Sequence, residues 1–220
     1  MAVQDDAREI NQIELFGLFR PEGEGRSGID AVMKLDDGSE LPFELKTTTS
    51  GSVTTVRDFG FDHIQKWKSK HWLISKYSQD GSVMEYTLYG SPQAMSGWIM
   101  EKEEYITPDF ELARFAPENL TLEHLKVIVG DNEVYSLADA TKLQKKQHVL
   151  SEYIELMDLE NGYSPGRMLQ FLKSRCKYLI ERGSTLNNPH IPESYFQGWE
   201  RITTNHATRL KELVIQSLNT

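Results

Sequence analysis

The chain has 220 residues, 39% of them hydrophobic and 26% charged, with a formal net charge of −9. That length and apolar content can bury one large core, or one core with a small appended lobe. No apolar run is long enough to cross a bilayer, the N-terminus lacks a signal-peptide pattern, and the single cysteine excludes an intrachain disulfide, so the expected setting is the reducing cytoplasm.

The first predicted element is a helix over 5–19, in which Val3, Ile10, Ile13 and Gly17 fall on one face. Glu14 lies within that face, and a carboxylate there needs a cation to meet. Glu9, flanking Ile13 and Phe16, is the alternative. A hairpin follows. Ile29, Ala31, Met33 and Leu35 alternate with Asp30, Val32 and Lys34, and Phe43 and Leu45 alternate with Glu44 and Lys46. Asp36-Asp37-Gly38-Ser39 is turn chemistry joining the two runs. Because strand side chains alternate faces, Asp30, Glu44 and Lys46 can share one face of the pair.

Beyond a polar turn at 47–52, the pattern predicts a short strand over 53–57 and a helix over 61–69 with Ile64 and Trp67 inward. Strands over 71–77 and 83–89 come next, then a helix over 92–103. Helix and strand in this order predict an α/β layer on a mixed sheet. Residues 105–220 read as predominantly helical. One helix is predicted over 122–129, its β-branched end also compatible with a strand. A second runs from 136 to 157. A third starts at a Ser164 cap with Pro165 in the first turn and stops at Gly183. Its stripe of Met168, Leu169, Leu172, Cys176, Leu179 and Ile180 predicts a buried Cys176 thiol. The last helix covers about 200–218. The expected organisation is a core over 1–104 with a helical region over 105–220 packed on it, together one compact domain.

The hairpin carries the chemistry. Two carboxylates held close repel each other, and a hard divalent cation resolves the conflict. Mg²⁺ takes oxygen ligands and keeps several waters when one or two carboxylates hold it. The Leu45 backbone carbonyl, between Glu44 and Lys46, can supply a third oxygen. Such a centre polarises a phosphoryl oxygen and activates water, with Lys46 positioning that water or offsetting charge. A solvated charge pair on an exposed sheet face is the plain alternative for Glu-x-Lys alone.

Net charge argues against a polyanionic partner, but the distribution does not. Between residues 45 and 80 stand six cationic and three acidic side chains, while the acid is concentrated in 5–44 and 101–139. Arg57, Lys66, Lys68 and Lys70 follow the second strand and are candidates to hold a nucleic-acid backbone. Arg182, Asn187, Asn188 and His190, in a polar loop after a basic helix, are candidates for base edges, since arginine pairs with guanine and asparagine with adenine. No Cys or Ser motif stands near His63 to form a triad, and no zinc cluster is visible.

Ile29-Asp30, thirteen intervening residues and Glu44-Leu45-Lys46 resemble the PD-(D/E)XK nuclease superfamily, which includes many type II restriction endonucleases. The resemblance covers roughly residues 5–90, with Ile29 where the name-giving proline would stand. It implies a restriction-endonuclease-like mixed sheet flanked by helices, Mg²⁺ held by Asp30 and Glu44, and Lys46 assisting the water. It also implies an acidic residue from the preceding helix, Glu14 or Glu9. The expected activity is Mg²⁺-dependent cleavage of a specific double-stranded DNA sequence by a homodimer. A repair or junction-resolving nuclease, and a non-catalytic DNA-binding protein on the same fold, are the alternatives.

Overall fold

A computed structural model describes residues 2–21, 28–56, 59–184 and 188–219. Helix α1 (Ala2–Phe16) leads to strands β1 (Ala31–Lys34), β2 (Glu40–Thr48) and β3 (Val53–Thr54), helix α2 (Phe61–Trp67), and strands β4 (His71–Tyr77) and β5 (Met84–Gly90). Helices α3 (Pro92–Phe115), α4 (Leu122–Val129), α5 (Leu137–Gln144), α6 (Leu150–Glu155) and α7 (Pro165–Ser184) follow. The chain ends with β6 (His190–Ile191), β7 (Arg201–Ile202) and α8 (His206–Leu218). It divides into two units, one comprising residues 1–104 and 188–220, the other 105–187. The sequence reading places all of 105–220 in one helical region; here residues 188–220 group with the sheet.

The first unit is built on a mixed five-stranded sheet of order β1-β2-β4-β5-β7. β2 and β4 run parallel, with α2 in the connection, and the other neighbours are antiparallel. The β1–β2 turn closes as its sequence dictates: Gly38 takes a φ of +85°, and the Asp37 carboxylate accepts from the Ser39 amide at 2.9 Å and hydroxyl at 2.6 Å. Phe43, Leu45 and Leu73 point to one face, which Phe16 and Leu18 at the end of α1 and Leu210 and Val214 of α8 cover. Burying these side chains supplies most of the drive for this layer. On the other face Trp72 meets Trp67 and Trp98 with ring centroids 5.5 and 6.1 Å apart. β3 and β6 make a separate two-stranded ribbon.

The second unit has its own core of Leu125, Tyr135, Ala140, Tyr153, Tyr163, Met168, Phe171 and Leu172. Two of its buried polar groups are satisfied internally: Tyr163 Oη donates to the Tyr153 carbonyl at 2.7 Å, and Gln144 Nε2 to that of Phe171 at 2.9 Å. The Arg167 amide donates to Ser164 Oγ at 3.2 Å, which confirms the cap read from sequence at the start of α7.

Several boundaries differ from the sequence pattern. β1 begins at Ala31, so Asp30 sits in the bend before it. α3 runs on to Phe115 through Pro108, twelve residues past the predicted end. The predicted 136–157 helix is two helices, because Lys145 and Lys146 adopt φ of +55° and +59°. Residues 201–202 are a strand, which pairs with β5 and delays the last helix to His206. Cys176 is half-buried, since Phe171 and not Cys176 completes the inward stripe.

Candidate active site

Asp30, Glu44 and Lys46 do converge. β2 sends Glu44 and Lys46 to the same side two residues apart, and the bend before β1 brings Asp30 beside them. The Leu45 amide donates to Asp30 Oδ2 at 2.9 Å, which fixes that carboxylate against the strand edge. Lys46 Nζ lies 2.7 Å from Glu44 Oε1 and 3.9 Å from Asp30 Oδ2. The side chains of Glu44 and Lys46 are 5% and 16% exposed, that of Asp30 23%. The group is therefore recessed but reachable.

A fourth member comes from a residue assigned a different role by sequence. Lys70 was expected to face a nucleic-acid backbone, yet it is buried and its Nζ lies 2.6 Å from Glu44 Oε2. It also donates to the Gly28 carbonyl at 3.3 Å. Two carboxylates and two ammoniums thus form a quartet of zero net charge, which is how two acids tolerate this burial. The only sequence signal for Lys70 is its place at the entrance of the apolar strand His71–Tyr77.

The electrostatics follow from that arrangement. Burial raises the Asp30 pKa, and the negative charge of Glu44 raises it further, against the opposing pull of Lys46. For Glu44 burial also acts upward, but Lys46 and Lys70 outweigh it and hold the carboxyl below its ordinary value. Lys46 is shifted upward, because Glu44 and Asp30 overcome its desolvation. Lys46 is an ammonium at neutral pH. It can orient water or offset charge, and it cannot accept a proton there.

The α1 contribution differs from the expectation. Glu14 is exposed, and the buried polar residue is Gln12, whose Nε2 donates to Ser75 Oγ at 2.8 Å and to the Lys46 carbonyl at 3.3 Å. Ile10, predicted inward, is 48% exposed, so the helix is rotated from the face that Ile10, Ile13 and Gly17 define. Glu9, the alternative, pairs with Arg20, and its charge is near enough to raise the Lys46 pKa. Gln12 also tethers the strand that carries Lys46.

The remaining described candidates lie on several different elements. Lys66 is exposed on α2, and Lys68 pairs with Glu103 at 2.8 Å. His190 Nδ1 lies 3.2 Å from Thr54 Oγ1 in the β3–β6 ribbon, with half-buried Asn188 shortly before it. Arg182 is exposed at the end of α7, in the second unit. Arg57 and Asn187 lie outside the described residues. His63, passed over in sequence, is half-buried on α2 and close enough to feel the charges of Glu44 and Lys70, though burial is what chiefly lowers its pKa.

The donor set suits a hard divalent ion. Among the described residues no group of three His, Cys, Asp or Glu side chains is placed to hold a metal. Two carboxylates match Mg²⁺, which completes its shell with water and substrate oxygens. Asp30 and Glu44 would hold it, with the Leu45 carbonyl in the same strand segment. The raised Asp30 pKa reflects its burial first and the repulsion of Glu44 second, and a cation would offset both. No known protein-family pattern and no curated protein sequence matches this chain.

Proposed function

We propose that this protein is a Mg²⁺-dependent nuclease that hydrolyses phosphodiester bonds at specific sites in double-stranded DNA, in the manner of a type II restriction endonuclease. The observation that carries the reading is the convergence of Asp30, Glu44 and Lys46 within a few ångströms on one strand edge. Mg²⁺, when bound, supplies Lewis-acid chemistry, polarising a phosphoryl oxygen and making a neighbouring water more acidic. Glu44 and Asp30 anchor the cation. Lys46, permanently charged, donates to the attacking water or to a non-bridging oxygen and offsets the charge that develops on the phosphorane-like transition state. Lys70 neutralises Glu44 in the absence of a cation and would compete with one for that carboxylate. A palindromic target is most simply read by a two-fold dimer.

The deciding experiment is a digest of a fully sequenced phage genome with Mg²⁺, against an EDTA control. Discrete fragments in the Mg²⁺ arm alone give both activity and site. Structure-dependent nicks on a four-way junction would move the reading to a repair nuclease. One observation favours a second reading: Lys70 balances the quartet without any metal, as a non-catalytic DNA-binding protein would require. Salt-sensitive duplex binding with no cutting under any divalent ion would establish that alternative.

A further inference from the structure

The sheet face that carries Glu44 and Lys46 continues into a cavity. In the β2–β4 register the neighbour of Lys46 is Ile74, and Ile74 pairs onward with Leu88 of β5. Ile74 and Leu88 form part of the floor of a cavity of about 420 Å³, which extends along the same face to Thr48 and Tyr86. Neighbouring strands lie about 4.8 Å apart, so the floor begins one strand spacing from the catalytic lysine. The facing wall is the segment after β6, a 3-10 turn (Glu193–Phe196) followed by Trp199.

This wall is fixed in place. Tyr195 Oη accepts from the Trp98 amide at 3.1 Å and donates to the Ala94 carbonyl at 2.8 Å. Trp98 Nε1 donates to the His190 carbonyl at 3.2 Å. The Trp199 ring lies directly over Gly90, where a Cβ would stand 2.4 Å from it, so only glycine permits that seat. The cavity is therefore preformed, and its volume falls in the range of about 300–1,000 Å³ typical of small-ligand sites.

Its lining specifies the ligand. Phe196 and Trp199 on the wall and Tyr86 on the floor offer aromatic surface, and the Arg201 guanidinium already lies 4.5 Å from the Tyr86 ring centre. Gln197 and Glu193 add hydrogen-bonding groups, and Lys76 and Arg201 outweigh Glu193 in charge. A flat aromatic ring with polar edges, attached to an anionic chain, fits these features: a nucleobase. We propose that the cavity receives an unstacked base of the strand whose phosphodiester lies at Lys46, so that the protein acts on nucleic acid with a base swung out of its stack. The placement of the strand rests on the nuclease reading; the cavity and its lining do not.

The test uses the full chain in EDTA, so that no cutting occurs. The probes are single strands of about 16 nucleotides, the upper site size of a typical single-strand module, bearing 2-aminopurine at alternate positions. A matched duplex and AMP serve as the other arms. Aromatic stacking quenches 2-aminopurine, and Trp199→Ala and Tyr86→Leu should each weaken single-strand binding by about tenfold or more and relieve the quench. Because Trp199 packs on Gly90, melting curves accompany both variants, and Tyr86→Leu alone suffices if Trp199→Ala does not fold. Unchanged affinity and quench in the folded variants overturn the proposal. So does saturable AMP binding without oligonucleotide binding, which would make this a free-nucleotide site. Variant-sensitive quench in a protein that never cuts with Mg²⁺ would retain the base pocket and remove the nuclease; cutting with variant-insensitive binding would do the reverse.

Discussion

Glu44 is held between two ammonium groups, each on its own carboxylate oxygen. Truncating it leaves Lys46 and Lys70 facing each other in a recessed site. Glu44→Ala should therefore cost about 3–5 kcal/mol of stability, the range for breaking a buried ion pair. Adding Lys70→Met to Glu44→Ala should recover most of that loss, as denaturant titration of the single and double variants would show. Lys70→Met alone removes a competitor for Glu44, and calorimetry without DNA should find Mg²⁺ bound at least several-fold more tightly. Unchanged affinity would show that Lys70 does not contend with the cation. Asp30→Ala, Glu44→Ala and Lys46→Ala should abolish cutting while leaving duplex binding largely intact, measured by gel shift in Ca²⁺ or EDTA; retained cutting by Glu44→Ala would remove that residue from the mechanism. That Glu44 and Lys46 share a face was legible because strand alternation fixes side-chain direction residue by residue. Lys70 was not, since one lysine among several in a basic stretch carries no mark of burial. The α1 residue was misjudged for another reason: an exposed Ile10 shifted the apparent inward face, and Gln12 carried no charge to attract notice.

At the scale of elements, β4 was read from sequence to its correct ends, because a nearly continuous apolar run is what a central strand requires. Its first residue makes a pH-dependent contribution. His71 is buried, stacks on Phe43 with centroids 5.3 Å apart, and shares a 2.7 Å hydrogen bond between Nδ1 and Tyr89 Oη. Tyr89 Oη in turn meets Ser217 Oγ of α8 at 2.9 Å. Burial drives the His71 pKa down to about 4. Between pH 6.5 and 4 the unfolded chain protonates this histidine and the folded chain does not, so its contribution is complete above 6.5 and lost as pH falls. The loss should reach about 3 kcal/mol near pH 4. Melting curves from pH 7 to 4 should fall more steeply for the wild type than for His71→Gln; parallel slopes would exclude the effect. The helices were less legible than the strands. Lys145 and Lys146 break the 136–157 pattern with left-handed backbone, a conformation that glycine or asparagine normally announces. Pro108 hid the length of α3, since proline inside a helix ordinarily ends it.

For the whole molecule, the two units hold separate cores with no residue in common. All four tryptophans, Trp67, Trp72, Trp98 and Trp199, belong to the unit that contains the sheet. Tryptophan fluorescence therefore reports on that unit alone, while far-ultraviolet circular dichroism weighs the helices of both. Urea unfolding should give different midpoints by the two probes, and coincident curves would mean that the units unfold together. The mixed α/β class was legible from sequence, but the return of residues 188–220 to the sheet was not, because two-residue strands such as Arg201–Ile202 leave no periodicity to read.

That return sets an order on synthesis. A nascent chain delivers Asp30, Glu44, Lys46 and Lys70 early, yet the outer edge of β5 stays unpaired, and the apolar side beneath α8 stays bare, until translation has passed the entire 105–187 insert. On the ribosome the quartet is thus spelled out long before its scaffold closes, and a truncated product would expose a sticky strand edge. The quartet would rest on a completed sheet only once α8 has emerged.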